Sequence, residues 1–254
     1  MSETAYDRIG RGYAKSRQTE PRIAARIEAA LGDAQSVVNV GAGAGSYEPV
    51  DRDVIAVEPS REMIAQRSPG AARAICGSAE QIPLPDDVAD AAMTILSIHH
   101  WDDPARGIRE MRRVARRRVV MLTYDPDCVL RWWLSDYAPR IAADDARCFP
   151  SLDALLGWLG DGVVETVEVP SDCCDLFLGA LWARPELVLA DEIRASTSGF
   201  ARMDPGQEGA AVAKLGADLE SGAWDEHHGH LREMDEFDVG LRLVVCEFDR
   251  RART

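Results

Sequence analysis

Three glycines at alternate positions directly follow an apolar, β-branched run near the start of the chain. The run Val37–Val40 is predicted to be a buried parallel strand, and it leads into Gly41, Gly43 and Gly45. Glycine lacks a Cβ atom, so it reaches positive φ and lets a ligand lie directly against the main chain. A second apolar run ends in Glu58, a carboxylate suited to accept hydrogen bonds from both hydroxyls of a ribose. Together these features predict a site for a nucleoside-containing cofactor.

The spacing of the glycines bears on which cofactor this is. A dinucleotide fingerprint requires G-x-G-x-x-G/A before the N-terminus of a helix. Here the third glycine comes one residue early, and Ser46 stands where the fingerprint has glycine or alanine. This departure argues against a nicotinamide dinucleotide. Taken alone, the glycine cluster is also compatible with an ordinary tight turn between a strand and a helix.

The elements that must position these residues alternate between strand and helix. Apolar runs predict strands at 37–40, 54–57, 72–76, 90–97 and 118–124, with helices at 60–67 and 104–116. Alternation of this kind predicts a parallel sheet with right-handed crossovers, and apolar strands without polar alternation indicate burial on both faces. After residue 125 we expect helices at 128–140 and 151–159, a strand at 163–169, a mostly helical piece at 172–235 and a last strand at 238–248.

Composition and charge exclude several classes of function. The chain has 254 residues, enough for a complete α/β core and an accessory region. Its net charge of −14 argues against binding a nucleic-acid backbone, and no apolar run approaches the length of a membrane span. The N-terminus is polar rather than a signal peptide, and the six cysteines are scattered. We therefore expect a cytoplasmic monomer or homodimer with reduced thiols and no nucleic-acid or membrane partner.

Four pieces of sequence, in a fixed order, carry a resemblance to a known family. They are the glycine loop at 41–45, the strand end Glu58–Pro59 with Met63 beyond it, the segment 76–85, and the segment 91–101 running into 109–114. In this order they resemble the class I S-adenosylmethionine-dependent methyltransferases that act on small molecules. The resemblance covers residues 1–125 well and the remainder more loosely. It implies a Rossmann-like α/β fold with a seven-stranded, mostly parallel sheet whose last strand is antiparallel, helices on both faces and a helical lid.

The resemblance also implies a function and a division of the chain. The cofactor would be S-adenosyl-L-methionine, and the reaction would be methyl transfer to a small-molecule acceptor by in-line displacement. The single domain at 1–254 would comprise cofactor-capping helices at 1–31, a cofactor-binding half at 32–125 and a substrate half at 126–254, with a helical insertion at about 172–235. The same fold also suits a non-methylating isomerase or cyclase, or a regulatory protein that binds the cofactor.

The cofactor contacts follow from the same resemblance. The glycine loop would pass beneath the amino-acid end of the cofactor, Glu58 would bind the ribose, and the segment after the third strand would lie near the adenine. Many relatives have an aspartate where Ser78 stands. The implied contacts are Tyr13, Arg17, Gly41, Ala42, Gly43, Gly45, Glu58, Pro59, Met63, Ser78, Ala79, Glu80 and Ser97. Tyr13 and Arg17 would cap the carboxylate of the cofactor, and the alternative for their segment is a packed amphipathic helix.

His99 and His100 are the candidate catalytic residues. They follow the predicted fourth strand, where open α/β sheets place their ligands, and histidine can take a proton from a hydroxyl or amine nucleophile. Paired histidines at this point in relatives with different substrates favour a structural or cofactor-facing role for at least one of them. Both roles stay open.

Two further clusters of side chains have competing interpretations. Aromatic residues after the cofactor half would form either core or an apolar pocket for an aromatic or apolar acceptor; they are Trp132, Trp133, Tyr137, Phe149, Trp182 and Trp224. His227, His228 and His230 lack the spacing of a known metal site, so we expect a polar turn and no bound metal.

Overall fold

The central element of the molecule is a parallel sheet with one reversed strand. A computed structural model of the chain describes residues 17–128 and 131–248. Over these residues the strands are β1 (Ser36–Val40), β2 (Asp53–Glu58), β3 (Arg73–Cys76), β4 (Ala89–Ile95), β5 (Ala115–Tyr124), β6 (Val163–Thr166), β7 (Val169–Pro170), β8 (Glu236–Phe237) and β9 (Leu241–Glu247). Seven of them form one sheet in the order β3-β2-β1-β4-β5-β9-β6. β1 to β5 are parallel, whereas β9 runs antiparallel to both of its neighbours, so the predicted fold class is confirmed.

Helices cover both faces of this sheet. In chain order they are α1 (Pro21–Leu31), α2 (Arg61–Ala65), α3 (Pro104–Val114), α4 (Leu134–Tyr137), α5 (Pro139–Cys148), α6 (Leu152–Leu159), α7 (Asp191–Ala195), α8 (Ser198–Ala201), α9 (Pro205–Ser221) and α10 (Ala223–His228). Short 3₁₀ turns lie at Ile98–His100, Leu178–Leu181, Pro185–Leu189 and Gly229–Glu233. The segment between β7 and β8 contains α7 to α10 and three of these turns, and it packs against the same side of the sheet as α1.

The packing of β1 explains why the run 37–40 is apolar at every position but one. Val37 belongs to the core cluster that includes Ile27 of α1, while the neighbouring Val38 belongs to the cluster that includes Met111 of α3. Successive side chains of a strand point to opposite faces, so a strand between two helical layers needs apolar residues on both. The single polar member, Asn39, is buried and donates a 3.0 Å hydrogen bond to Glu48.

Several element boundaries differ from those predicted. Within the described part of the helix predicted at 128–140, the structure has the short α4 and, from Pro139, the start of α5. Proline has no N–H and disfavours helical geometry in the residue before it, so it suits the start of a new helix rather than the interior of one. β4 ends at Ile95, two residues early, because Leu96 adopts a φ of 49°. No pattern in the sequence predicts the pairing of β7 with β8, since a two-residue strand has no detectable periodicity.

Candidate active site

The turn after β1 lies at the carboxyl end of the sheet, beside the point where the strand order reverses. Gly41, Gly43 and Gly45 have φ values of 69°, 52° and 100°. A Cβ atom on Gly41 would lie 1.9 Å from Oγ of Ser97, two residues beyond the end of the neighbouring β4. Glycine is therefore required at Gly41 both for its backbone conformation and for the close approach of the two strand ends. Open α/β sheets place ligands at such a reversal.

Glu58 links this turn to the end of β2. Its side chain is buried, with one carboxylate oxygen accepting a 2.8 Å hydrogen bond from the Gly43 N–H and the other a 2.9 Å bond from the Ser60 N–H. Ser60 in turn caps α2, its hydroxyl accepting from the Met63 N–H at 3.2 Å. Each carboxylate oxygen offers two lone pairs, so these bonds are compatible with further bonds from the two hydroxyls of a ligand.

A cleft of about 350 Å³ opens above the ends of β1, β2 and β4. It is lined by most of the predicted cofactor residues, namely Arg17, Gly41, Ala42, Gly43, Glu58, Pro59, Met63, Ser78, Ala79, Glu80 and Ser97. Gly45 shapes the turn without lining the cleft, and Tyr13 lies outside the described residues. The prediction omitted Asn39, Ala44, Ser46, Tyr47, Ser60, Ile95, Leu96, Trp101 and Asp102. Each of these lies within two positions of a predicted site residue, so extending every motif by two residues finds them.

The two candidate catalytic histidines face different spaces. They share the 3₁₀ turn Ile98–His100, and their ring centroids are 3.8 Å apart. His100 lines the cleft, whereas His99 lines a second, smaller cavity and packs against Phe149 with ring centroids 4.3 Å apart. Burial lowers the pKa of His100 to about 4. Burial also lowers the pKa of His99 well below its usual value, with the charges of His100 and Arg202 adding to the effect. Both rings are therefore neutral at pH 7.

The lowered pKa of His100 predicts how stability changes with pH. In the unfolded chain the ring has its ordinary pKa near 6.5, so as the pH falls toward 4 the unfolded state binds a proton before the folded state does. The contribution of the neutral His100 ring to the free energy of unfolding is fully present above pH 6.5. It is lost progressively as the pH falls from 6.5 toward 4. Between about pH 7.5 and pH 5, the urea midpoint should fall further in the wild type than in His100→Gln. The exposed His230→Gln is the matched control, and equal pH dependence of His100→Gln and wild type would contradict the assignment.

The second cavity adjoins the cleft. It has a volume of about 70 Å³, and Arg17 and Leu96 line both spaces. Its remaining lining is mainly apolar and comes from β5, from 132–149, from the segment after β7 and from the loop between β8 and β9. The residues are Tyr124, Trp132, Leu134, Ser135, Ile141, Ala142, Asp145, Phe149, Phe177, Leu178, Gly179, Ser196, Thr197, Ser198 and Val239, together with His99. Of the aromatic residues with two interpretations, Trp132 and Phe149 line this cavity, whereas Trp133, Trp182 and Trp224 are core.

Arg17 stands at the boundary of the two spaces in a buried ion pair. Its Nε lies 2.5 Å from one oxygen of Asp175, a terminal nitrogen lies 3.2 Å from the other, and Asp175 is fully buried. The hydroxyl of Tyr47 donates a 2.8 Å hydrogen bond to the same carboxylate. The pair thus ties the N-terminal segment to the segment after β7, directly beside the cleft.

The remaining candidate sites carry no comparable geometry. In the ranges 17–128 and 131–248, no group of three or more histidine, cysteine or acidic residues is arranged to hold a metal ion. His228 lies 3.3 Å from Asp136, and the Nδ1 atom of His227 lies 2.8 Å from the Ala223 carbonyl oxygen. Across the same part of the chain, no helix is both long and apolar enough to cross a membrane.

Comparison with known proteins decides the family. The family model described as a methyltransferase domain matches residues 38–123. A solved structure from Anabaena variabilis, described as a methyltransferase from an antibiotic biosynthesis pathway, is 32% identical, with a TM-score of 0.86 over 92% of this chain and 99% of that one. The chain belongs to the class I S-adenosylmethionine-dependent methyltransferase family. The predicted resemblance is thereby confirmed, and the matched residues 38–123 contain the glycine turn, Glu58 and both histidines.

Curated sequences show a more local similarity to this chain. A protein of Mycobacterium tuberculosis, named as an uncharacterized methyltransferase, is 40% identical over 89 residues, which is 33% of this chain and 36% of that protein. The 2-methyl-6-phytyl-1,4-hydroquinone methyltransferase of Spinacia oleracea is 31% identical over 143 residues, 52% of this chain and 40% of its own length. The matched region thus spans well under half the length of these curated relatives.

Proposed function

We propose that the chain transfers a methyl group from S-adenosylmethionine to a small, mostly apolar acceptor. The observation that carries the proposal is the pair of adjoining cavities, one bounded by the glycine turn and Glu58 and the other by apolar side chains, with Arg17 and Leu96 in the wall of both. Bound cofactor and acceptor would meet at this wall. The hydroquinone named for the spinach relative is itself a small molecule with a large apolar part. Cytoplasmic localisation and the oligomeric state stay predictions from the sequence.

The chemistry of the cleft fits an adenosyl cofactor. Glu58 would accept from the ribose hydroxyls, and its bonds to Gly43 and Ser60 hold it in place to do so. The apolar side chains of Met63 and Ala79 suit the faces of a purine, and Ser78 offers a polar group for its edge. The turn at 41–45 would support the amino-acid end, and the Arg17 guanidinium, held by Asp175, lies in the wall of the same cleft.

When bound, S-adenosylmethionine supplies a methyl group activated by a sulfonium. Its leaving group is neutral and good, so the chain contributes mainly by positioning the acceptor, for which well-oriented neighbours account for about 7–11 kcal/mol of a barrier. The mainly apolar wall of the second cavity would limit the access of water to the acceptor. His99, neutral at pH 7, would be the histidine nearer the acceptor and so the better candidate to receive a proton from it, while His100 would face the cofactor.

The proposal is tested by calorimetric titration with S-adenosylmethionine, S-adenosylhomocysteine and NADH, followed by a screen of acceptors for formation of S-adenosylhomocysteine. We expect binding of both adenosyl compounds, no binding of NADH, and product formation with at least one acceptor. Binding without transfer to any acceptor would favour the isomerase, cyclase or regulatory alternative. Binding of NADH alone would overturn the cofactor assignment.

A further inference from the structure

We propose that the second cavity is the acceptor site and that its ligand is a neutral, hydroxylated aromatic molecule. This inference rests on the proposed methyl transfer, and it adds the place and the chemical class of the acceptor. Three features of the cavity carry it: the charges in its wall are compensated, two of its polar residues have buried atoms without partners, and its apolar wall is rich in aromatic rings.

The charges in the wall are paired within the protein. Arg17 is bound to the buried Asp175, and Asp145 accepts a 3.0 Å hydrogen bond from Arg202. Burial raises the pKa of Asp145 to about 6, against the lowering effect of Arg202. A ligand with a full charge would enter without a counter-ion of its own, and an unpaired charge in a buried site is strongly unfavourable. The cavity therefore selects a neutral ligand.

Two polar atoms in the wall lack partners within the protein. Nδ1 of His99 and the hydroxyl of Tyr124 are buried, and neither has a hydrogen-bond partner among the described residues. The backbone of Gly179 faces the Tyr124 hydroxyl without forming a hydrogen bond of normal geometry. Buried polar groups in folded proteins are nearly always paired, so an orphaned pair beside a cavity indicates a ligand with polar hydrogen-bonding groups of its own. A hydroxyl group, which both donates and accepts, satisfies this requirement.

The apolar part of the wall indicates an aromatic ligand. Phe149 packs against the His99 ring and stands edge-on to Tyr124, with ring centroids 5.4 Å apart, and Trp132 and Phe177 lie in the same wall. Aromatic rings pack favourably in stacked or edge-to-face arrangements beyond the area that they bury. A planar ring carrying a hydroxyl matches both parts of this wall, whereas a saturated ring of the same size loses the ring–ring contacts.

The test measures binding rather than turnover. 1-Naphthol is titrated into the protein saturated with S-adenosylhomocysteine, beside decahydro-1-naphthol and 1-naphthoate. We expect 1-naphthol to bind and the other two to bind at least about tenfold more weakly, a difference of about 1.4 kcal/mol. Absence of 1-naphthol binding, or equal binding of 1-naphthoate, would overturn the proposal.

Variants locate the binding. Ala142 of α5 lines the cavity, while the adjacent Ala143 is exposed. Ala142→Leu should abolish 1-naphthol binding and keep S-adenosylhomocysteine binding, and Ala143→Leu should leave both unchanged. If Ala142→Leu fails to fold, Tyr124→Phe provides the test of the location, because it removes only a hydroxyl without a partner. The thermal midpoint of this variant should not fall, and 1-naphthol should bind to it about tenfold more weakly than to the wild type. Unchanged 1-naphthol affinity in the variant used would overturn the location.

The same titrations separate the two proposals. If the wild-type protein binds S-adenosylhomocysteine but not 1-naphthol, the acceptor site is overturned and the cofactor assignment stands. Absence of S-adenosylhomocysteine binding would overturn the proposed function, and 1-naphthol titrated into the protein alone would then decide the ligand class of the cavity by itself.

Discussion

Replacing Glu58 with alanine should weaken S-adenosylhomocysteine binding by about 100-fold or more. The first part of the expected loss in binding free energy comes from the hydrogen bonds that the ribose hydroxyls would donate to Glu58. A hydrogen bond to a charged group contributes about 1.5–3 kcal/mol, so the two ribose hydroxyls account for about 3 kcal/mol or more. Each tenfold change in affinity corresponds to about 1.4 kcal/mol, which gives the stated factor.

A second contribution comes from the turn itself. Glu58 accepts from the backbone N–H groups of Gly43 and Ser60, and these bonds hold the glycine turn against the end of β2. Alanine releases both N–H groups, so the turn is less well ordered before the cofactor arrives, and ordering it costs part of the binding free energy. Glu58→Gln keeps one oxygen as an acceptor and should fall between alanine and wild type.

Glu62→Ala is the matched control for this substitution. Glu62 lies four residues further on, in α2, and is exposed to solvent. Its replacement should change S-adenosylhomocysteine affinity by less than about twofold. Calorimetric titration gives the affinities, and a thermal unfolding scan shows that each variant is folded. Wild-type affinity in a folded Glu58→Ala would contradict the assignment of the ribose site.

Asp175→Ala should lower the free energy of unfolding by about 3–5 kcal/mol, the usual cost of removing one partner of a buried ion pair. The carboxylate is fully buried and receives bonds from Arg17 and from the hydroxyl of Tyr47. Alanine leaves the Arg17 guanidinium, whose side chain is only 12% exposed, without this counter-charge. It also leaves the buried Tyr47 hydroxyl without its acceptor.

Asp172→Ala provides the contrast for this ion pair. Asp172 lies three residues earlier and pairs with Arg22 at 2.7 Å, but its side chain is 78% exposed. Exposed ion pairs contribute at most about 1 kcal/mol, so this variant should be nearly as stable as the wild type. The double variant Arg17→Met/Asp175→Leu, which removes both charges, should recover part of the stability that Asp175→Ala loses. Urea unfolding monitored by tryptophan fluorescence measures all three, and equal losses for Asp172→Ala and Asp175→Ala would contradict the prediction.

The sequence alone determined most of the fold around the glycine turn, over residues 37–124. Local physical rules predict the strands at 37–40 and 54–57 and the three glycines of the turn. A strand buried on both faces is apolar throughout, and glycine adopts positive φ without steric strain. Glu58 is recognised as the polar residue that ends the second strand. These features lie within about twenty residues of one another, so their spacing in sequence fixes their spacing in the sheet. The antiparallel β9 came from the resemblance to the family rather than from any local signal.

Only the tertiary structure decided which distant residues meet. Arg17 was predicted from family resemblance as a cofactor contact, and the structure adds its partner Asp175, 158 positions along the chain. His99 and His100 are adjacent in sequence, yet the 3₁₀ turn directs one to the cleft and the other to the second cavity. That cavity draws its wall from β5, α5 and the segment after β7. No period or motif in the sequence encodes such an assembly, because contacts between remote segments depend on how whole elements pack.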